Sequence, residues 1–405
     1  MSKFKKIFLA ATAILALNVN YDGARASSEH VLDDQKSNNS FAFTLFEQVT
    51  KNSKENIVIS PLSAYFALSM TINGAANKTF QNMSQVLGIK DKSIKEVNQQ
   101  NQSLLKSLVE SKTTQLEISN ALFADINTPF KGSFIDTCKH VYDAEAKNVD
   151  IAHKPQQAIS LINTWCKTKT HGKIPSIISQ LSPLERMILI NSVYFKGDWQ
   201  SPFKHSATHD DQFITLAGQT VPIKMMYQSE HLSYMKGSDF QALSIPYKGK
   251  RQYMYIFLPD KGIDFALFQA KFTQKNWDGW RSAFNDNLVN LSMPKFTINY
   301  SIELSDSLKA MGMADAFDSK RADFSNMIIP PNKAWISRVL QKTYMGVDEK
   351  GTEAAAVTAV VMAGSCAYVP QKPAIEFKVD HPFILALIDK ESDQILFLGS
   401  IVEPK

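Results

Sequence analysis

The feature that most limits what this chain can become lies near its end, at Asp348–Pro370: DEKGTEAAAVTAVVMAGSCAYVP. Alanine is the strongest helix former, but a helical winding spreads Thr352, Val357, Thr358 and Val361 around the axis without an apolar stripe. Taken with period two, the segment sorts itself. Thr352, Ala354, Ala356, Thr358, Val360 and Met362 share one face, and Glu353, Ala355, Val357, Ala359 and Val361 the other. The valines and threonines also favour a strand. The one charge after Gly351, Glu353, lies on the second face, and nothing bulky occupies the first before Met362. Gly351 can take backbone angles closed to other residues, which suits a hinge. A strand so free of bulk fits one task, slipping between two strands that are already paired. Each ladder hydrogen bond gained is worth roughly 0.5–1.5 kcal/mol net, so a dozen supply on the order of 10 kcal/mol.

The rest of the chain must supply a sheet to receive it. With 405 residues, 44% hydrophobic and 20% charged, the composition is that of an ordinary globular protein with a sizeable core. Lys3, Lys5 and Lys6 precede the apolar run Ile7–Leu17, and Ala24–Ala26 offers a small-residue cleavage site. That pattern reads as a signal peptide over residues 1–26, hence export, with an N-terminal extension over 27–40. The apolar run is short for a membrane span, so no stable membrane association is expected. Four cations and one carboxylate leave with the leader, taking a net +3 from the formal +5. A remainder near +2 argues against nucleic acid as a partner. Three scattered cysteines, Cys138, Cys166 and Cys366, cannot build a disulfide framework, and at least one is unpaired in a monomer.

No repeat or linker divides residues 41–405, which read as one domain. Ser60 as cap and Pro61 at the first helical position open a helix in SPLSAYFALSMTINGA, and VNQQNQSLLKSLVES reads as an amphipathic surface helix. LEISNALFAD, MILINSVYFKG, YMYIFLPD, LVNLSMPKFTINYS, FILALID and ILFLGSIV read as strands. The mixture predicts an α+β fold with mostly antiparallel sheets. Catalytic and metal motifs are missing: the sequence has no H-E-x-x-H, C-x-x-C, phosphate-binding loop or G-x-S-x-G. His205 and His209 have a spacing that suits metal ligands on a helix, but SPFKHSATHDDQF lacks apolar periodicity and reads as a solvated loop. Ser365 and Cys366 have no partner histidine or acid at a recognisable spacing. The chain does not read as an enzyme.

With these residues in hand the chain resembles the serpins over nearly all of residues 41–405. The hinge EKGTEAAAVTA and the C-terminal FKVDHPFILAL carry the likeness. NIVISPLSAYFALSM, THGKIPSII, LINSVYFKGDWQSPF, LSMPKFTI, LKAMGMADAFD with ADFSNM, and ILFLGSIVEP match family blocks in the family's order. The resemblance implies three sheets, about nine helices and an exposed reactive-centre loop at about residues 349–372. It implies a suicide-type protease inhibitor. The target attacks the loop and forms an acyl-enzyme, the cut loop enters the main sheet, and deacylation stalls. No cofactor or metal is called for, and the partner is the target protease. Carried over by position, Glu349, Gly351, Thr352, Glu353, Ala354, Ala355, Ala356, Val357 and Thr358 form the hinge. Ser60, Ser63, Asn191 and Trp199 fall where the sheet parts, with Gln341 where the family usually has histidine. Some serpins are instead chaperones, carriers or binding proteins; they often carry charged, bulky or proline residues in the hinge, and this hinge is permissive.

Counting forward from Glu349 places the cleaved bond at Ser365–Cys366, while counting back from DHPF places it around Val369–Lys372. The forward count carries more weight, because inserted length sets how far the protease travels. Ser365 after Ala363 and Gly364 suits a protease with a small or shallow pocket: elastase-like, subtilisin-like or papain-like. Tyr368 would suit a chymotrypsin-like one. No Lys or Arg occurs from Gly351 to Gln371, and Lys372 precedes a proline, which disfavours a trypsin-like target.

Overall fold

The computed structural model describes residues 38–111, 113–352 and 373–405. The leader, the hinge residues Glu353–Thr358 and the bond Ser365–Cys366 lie outside the described residues. Fifteen strands and, among the described residues, nine α-helices build an α+β fold.

The strands form two hydrogen-bonded networks. The smaller runs β10 (Phe296–Glu303), β11 (Ile336–Val347), β12 (Gly351–Thr352), β4 (Met187–Asp198), β2 (Thr114–Asp125), β3 (Glu145–Val149). The larger runs β1 (Ile57–Ile59), β15 (Gln394–Ile401), β14 (Phe383–Asp389), β8 (Gln252–Pro259), β7 (Phe240–Pro246), β6 (Thr220–Lys236), β9 (Asn285–Pro294), β13 (Ile375–Lys378), with β5 (His209–Ile214) on β6. Along its length β6 changes partner, pairing first with β5, then with β9, and at its end with β7. The continuity of β6 thus fuses two of the three implied sheets into one network. The run expected as a single strand, LVNLSMPKFTINYS, is split between the networks. Pro294 has no N–H to continue a ladder, and beyond it Lys295 N donates to Lys224 O while Thr297 N donates to the C-terminal Lys405 O.

Helix α1 covers residues 38–50 and presents Phe41, Phe43, Leu45, Phe46 and Val49 to the core. In α2 (Pro61–Ile72) all 12 residues are buried, so this helix is enclosed between the networks rather than laid on a surface. Around it come α3 (Asn77–Val86), α4 (Ile94–Val109, opened by a Ser93–Glu96 capping box) and α5 (Gly132–Tyr142). On the opposite side of the smaller sheet lies α6 (Pro155–Lys169). Both faces of β4 are therefore covered. Leu189, Val193 and Phe195 join the main core; Ile188 and Ile190 join a second core with Leu340, Trp165 and Cys166. A strand buried on both sides has no polar alternation, which explains the near-continuous MILIN run. No helix among the described residues is long and apolar enough to cross a membrane.

The sheets are mostly antiparallel, as expected, but β4 and β11 pair in parallel, from Met187 with Ile336 to Tyr194 with Tyr344. Their other neighbours, β2 and β10, run antiparallel to them. Parallel pairing is the weaker kind per residue. Within the smaller sheet the seam shares this weaker kind of pairing with β2–β3.

Candidate functional site: a seam with a wedge at one end

At the C-terminal ends of β4 and β11 the two-residue β12 already stands between them. Thr352 pairs with Val347 of β11 and with Gly197 of β4, and Gly351 pairs with Asp198, all antiparallel. Gly351 was expected to act through backbone freedom. Its lack of a side chain also matters, because a Cβ there would press on the Gly197 carbonyl and lie 2.7 Å from Asp198 Cα. Thr352 is buried, with its hydroxyl 2.6 Å from the hydroxyl of Tyr247. The Tyr247 ring stacks on Trp199 at 4.5 Å, and burial pushes its phenol well above the ordinary range. Trp199 also holds the turn leading into the wedge: its indole N–H donates to Asp348 O at 3.0 Å and its backbone N–H to Lys350 O at 2.7 Å.

Glu349, at the centre of that turn, is buried with its carboxylate fully engaged. Lys295 Nζ donates to one oxygen at 3.0 Å; Thr208 Oγ1 donates to the other at 3.0 Å, with His205 Nδ1 at 3.2 Å. Burial alone would raise this carboxyl's pKa; the backbone N–H, Lys295 and Thr208 together outweigh it and hold the group below its ordinary value. The sequence around His205 predicts a solvated loop. The segment is a 3₁₀ turn (His205–Ala207) leading into β5, and His205 and His209 face different acids, Glu349 and Asp211. Nothing local in the sequence brings Thr208 and Lys295 to Glu349; only the crossing of β5, β10 and the wedge does.

Because the folded pKa is depressed, the ionised Glu349 stabilises the turn fully above the unfolded carboxyl value, about 4.3. That contribution is lost as pH falls through the folded value. Glu349→Gln is therefore expected to flatten the acid limb of a thermal-stability profile below about pH 5. Glu349→Lys sets an ammonium against Lys295. It is expected to cost about 2–3 kcal/mol, less than a fully buried pair because Lys295 stays half exposed. Calorimetry should show a fall of about 5 °C.

Halfway along the seam, Gln341 of β11 and Asn191 of β4 are Cα partners, both fully buried. Gln341 Nε2 donates to Asn191 Oδ1 at 2.6 Å and to Ser60 O at 2.8 Å, while Gln341 Oε1 accepts from Ser60 N at 2.9 Å. Asn191 Nδ2 donates to Ser63 Oγ and, at 2.6 Å, to Asn120 Oδ1. The four sequence candidates Ser60, Ser63, Asn191 and Gln341 thus form one buried polar cluster, joined by Asn120, which sequence reading did not single out. Ser60 occupies the cap position of α2 as expected, but its side chain caps nothing; the Gln341 amide takes both of its backbone groups. Gln341 fits the place where the family usually has histidine as a neutral clamp. A buried polar group must be paired; Asn120 Nδ2 already lacks a partner, and parting the strands here leaves further groups of the cluster unpaired.

Cys138 and Cys166 are both free and buried. Burial pushes the Cys166 thiol up to about 11 against the opposing pull of Ser192 and Lys342. Its sulfur lies 4.0 Å from Ser192 Oγ, on the face of the seam opposite the polar cluster.

The comparisons with known proteins agree with this architecture. A family profile described as Serpin (serine protease inhibitor) matches residues 36–404. Serpin B6 of Pongo abelii is 34% identical over 378 residues, covering 91% of this chain and 99% of the relative. The leukocyte elastase inhibitor of Bos taurus is 35% identical over 379 residues, covering 91% and 98%. Among solved structures, the thermophilic serpin tengpin in its native state superposes with a TM-score of 0.84 at 31% identity, covering 91% of this chain and 94% of tengpin. Human thyroxine-binding globulin does so with 0.85 at 29%, covering 93% and 99%. The parallel seam, the wedge and the polar cluster therefore lie in a chain that belongs to the serpin family.

Proposed function

We propose that the chain is an exported inhibitor that traps a serine or papain-like cysteine protease as an acyl-enzyme by drawing its cut loop into the β4–β11 seam. The observation that carries this is the wedge itself, whose register can be extended. Continuing both ladders from Thr352 sets Ala354 beside Phe195 and Met345, and Ala356 beside Val193 and Thr343. Thr358 then falls beside Asn191 and Gln341, and Val360 beside Leu189 and Val339. Every one of those neighbours is buried, so this face of the strand needs small or apolar residues, and it has them. Thr358 arrives where insertion breaks the Gln341–Asn191 bond, with a hydroxyl that both donates and accepts. On the other face Glu353 meets Lys196, its one charge beside an opposite one. From Thr352 to Ser365 is 14 residues, roughly 45 Å of strand at about 3.3 Å each. That carries the cut end beyond Met187 and Ile336, to the far end of the seam.

In chemical terms, the target's nucleophile attacks the Ser365 carbonyl, the Ser365–Cys366 peptide bond breaks, and the amine of Cys366 leaves. The acyl link to Ser365 persists because the inserting strand drags the protease with it, and the protease's distorted active site no longer deacylates. The protein contributes no catalytic group. Ser365 with Gly364 and Ala363 suits a small-pocket target, and one relative bears the name of an elastase inhibitor. Another is a thyroxine-binding globulin, so the fold alone does not separate inhibitor from carrier. The permissive hinge favours the inhibitor. Export rests on the leader at residues 1–26.

The register is testable through Cys166. Val357 falls beside Ser192 and Lys342, on the face where the Cys166 sulfur lies. In Val357→Cys, a disulfide to Cys166 is expected under oxidant after the loop is nicked and not before, read by peptide mapping. A nicked chain in which residue 357 never links to Cys166 would refute the register.

A further inference from the structure

We infer that the far end of the seam carries an apolar seat, Leu184 with Ile126 and Ile329, for the emptied substrate cleft of the delivered protease. The seat sets how long the trapped complex lasts; this rests on the loop-insertion reading above. Leu184 is 74% exposed, Ile126 54% and Ile329 43%. They come from three separate segments that hydrogen bonds tie together at one pole. Asp125 N, next to Ile126 at the end of β2, donates to Arg186 O at 2.9 Å, and Ile329 N donates to Pro129 O at 3.0 Å. Arg186 N in turn donates to Ser337 Oγ of β11 at 2.8 Å, and its guanidinium lies 5.4 Å from the Trp335 ring. Leu184 sits on a pinned turn. Ser182 N donates to Glu185 Oε2 at 2.9 Å, Glu185 N donates to Ser182 O at 3.0 Å, and the Arg186 guanidinium donates to Pro183 O at 3.1 Å. Single exposed apolar side chains are ordinary, but a group drawn from three segments marks a contact surface.

The occupant follows from the register. Continued from the wedge, it sets Met362 beside Met187, the first residue of β4. Ser365, three residues on and about 10 Å further, reaches the turn that bears Leu184. The acyl link and the protease on it therefore arrive at this pole. At the moment of attack the protease cleft holds the residues before the cut bond, Val361, Met362, Ala363 and Gly364. Insertion draws Val361 and Met362 into the ladder, so a cleft that had bound apolar side chains is stripped of them. The tether leaves through that cleft, which accordingly opens towards the pole, where Leu184, Ile126 and Ile329 offer apolar surface in place of what was withdrawn. That surface leaves water only when the protease stands at the pole. The seat thus stabilises the trapped state and takes no part in the encounter that precedes it.

The test takes the full chain and an elastase-like serine protease, isolates the covalent complex, and follows its decay on denaturing gels alongside returning peptidase activity. Leu184→Asp is expected to shorten the lifetime of the complex about ten-fold, because it withdraws about one leucine of buried apolar surface. Adding Ile126→Asp should shorten it further. In both variants the rate of complex formation and the fraction of inhibitor consumed as substrate should match wild type. Leu184→Met, apolar and of similar volume, should keep the wild-type lifetime. Leu267→Asp is the control, since Leu267 is 70% exposed but lies on the helix Phe265–Gln269, which follows β8 of the larger network. A wild-type lifetime in both aspartate variants of the pole would overturn the seat, as would an equal shortening in Leu267→Asp or slower complex formation in Leu184→Asp. A wild-type chain that is cut without forming any covalent complex would overturn the proposed function and the seat together. That result is distinct from a complex that forms and decays at a rate no pole variant changes.

Discussion

Thr352→Arg is expected to leave a protein that proteases cut but that no longer traps them. Thr352 occupies the wedge with its hydroxyl 2.6 Å from that of Tyr247, beneath the Trp199–Tyr247 stack and with almost no solvent exposure. No carboxylate among its described contacts could receive a guanidinium. Holding that cation in the wedge without a partner costs roughly 3–5 kcal/mol. At 1.36 kcal/mol per decade, insertion slows by about two to four orders of magnitude, and deacylation of the acyl-enzyme wins. Thr352→Val serves as the control, since it loses one neutral hydrogen bond, worth about 1 kcal/mol, and keeps the shape. On denaturing gels the valine variant should retain the covalent complex, and the arginine variant should show only cleaved inhibitor and free protease. Wild-type complex yield from Thr352→Arg would mean that trapping does not require residue 352 to stay buried in the sheet.

The parts of this design that were legible in the sequence are those with a local cause. The period-two division of Thr352–Met362 follows from side-chain size alone. Pro61 marks the start of α2, and the β-branched runs mark β2, β4, β8, β14 and β15. What stayed hidden depends on partners far apart in the chain. The parallel pairing of β4 with β11 joins positions 150 residues apart, Asn191 with Gln341 for example, and neither run betrays its direction. Ser60 looked like a helix cap because caps are local, but Gln341 claims its backbone from 281 residues away. Gly351 looked like a hinge because glycine's torsional freedom is an intrinsic property; its close approach to Gly197 and Asp198 exists only in the assembled sheet. Likewise the ring of Lys295, Thr208 and His205 around Glu349 required the fold to close first.

Nicking the loop should raise the thermal midpoint by about 5–10 °C, the largest single effect open to measurement on this chain. Before the cut, β4 and β11 are joined by one parallel ladder, and among the described residues the wedge contributes Gly351 and Thr352. After it, a strand running antiparallel to both replaces that ladder with two of the stronger kind. The net gain is about a dozen hydrogen bonds, on the order of 10 kcal/mol at roughly 0.5–1.5 kcal/mol each. Against this stands the disrupted cluster of Gln341, Asn191, Ser60 and Ser63, at about 1–3 kcal/mol for each group left unpaired; Thr358 offsets part of it. For a chain of this size each kcal/mol moves the midpoint by about 1–2 °C, so a balance of about 5 kcal/mol remains above the error of a calorimetric scan. A carrier whose loop merely hangs outside the sheet would lose a covalent link and gain nothing. Its nicked and intact forms would melt together, and that coincidence would exclude insertion whatever the hinge looks like.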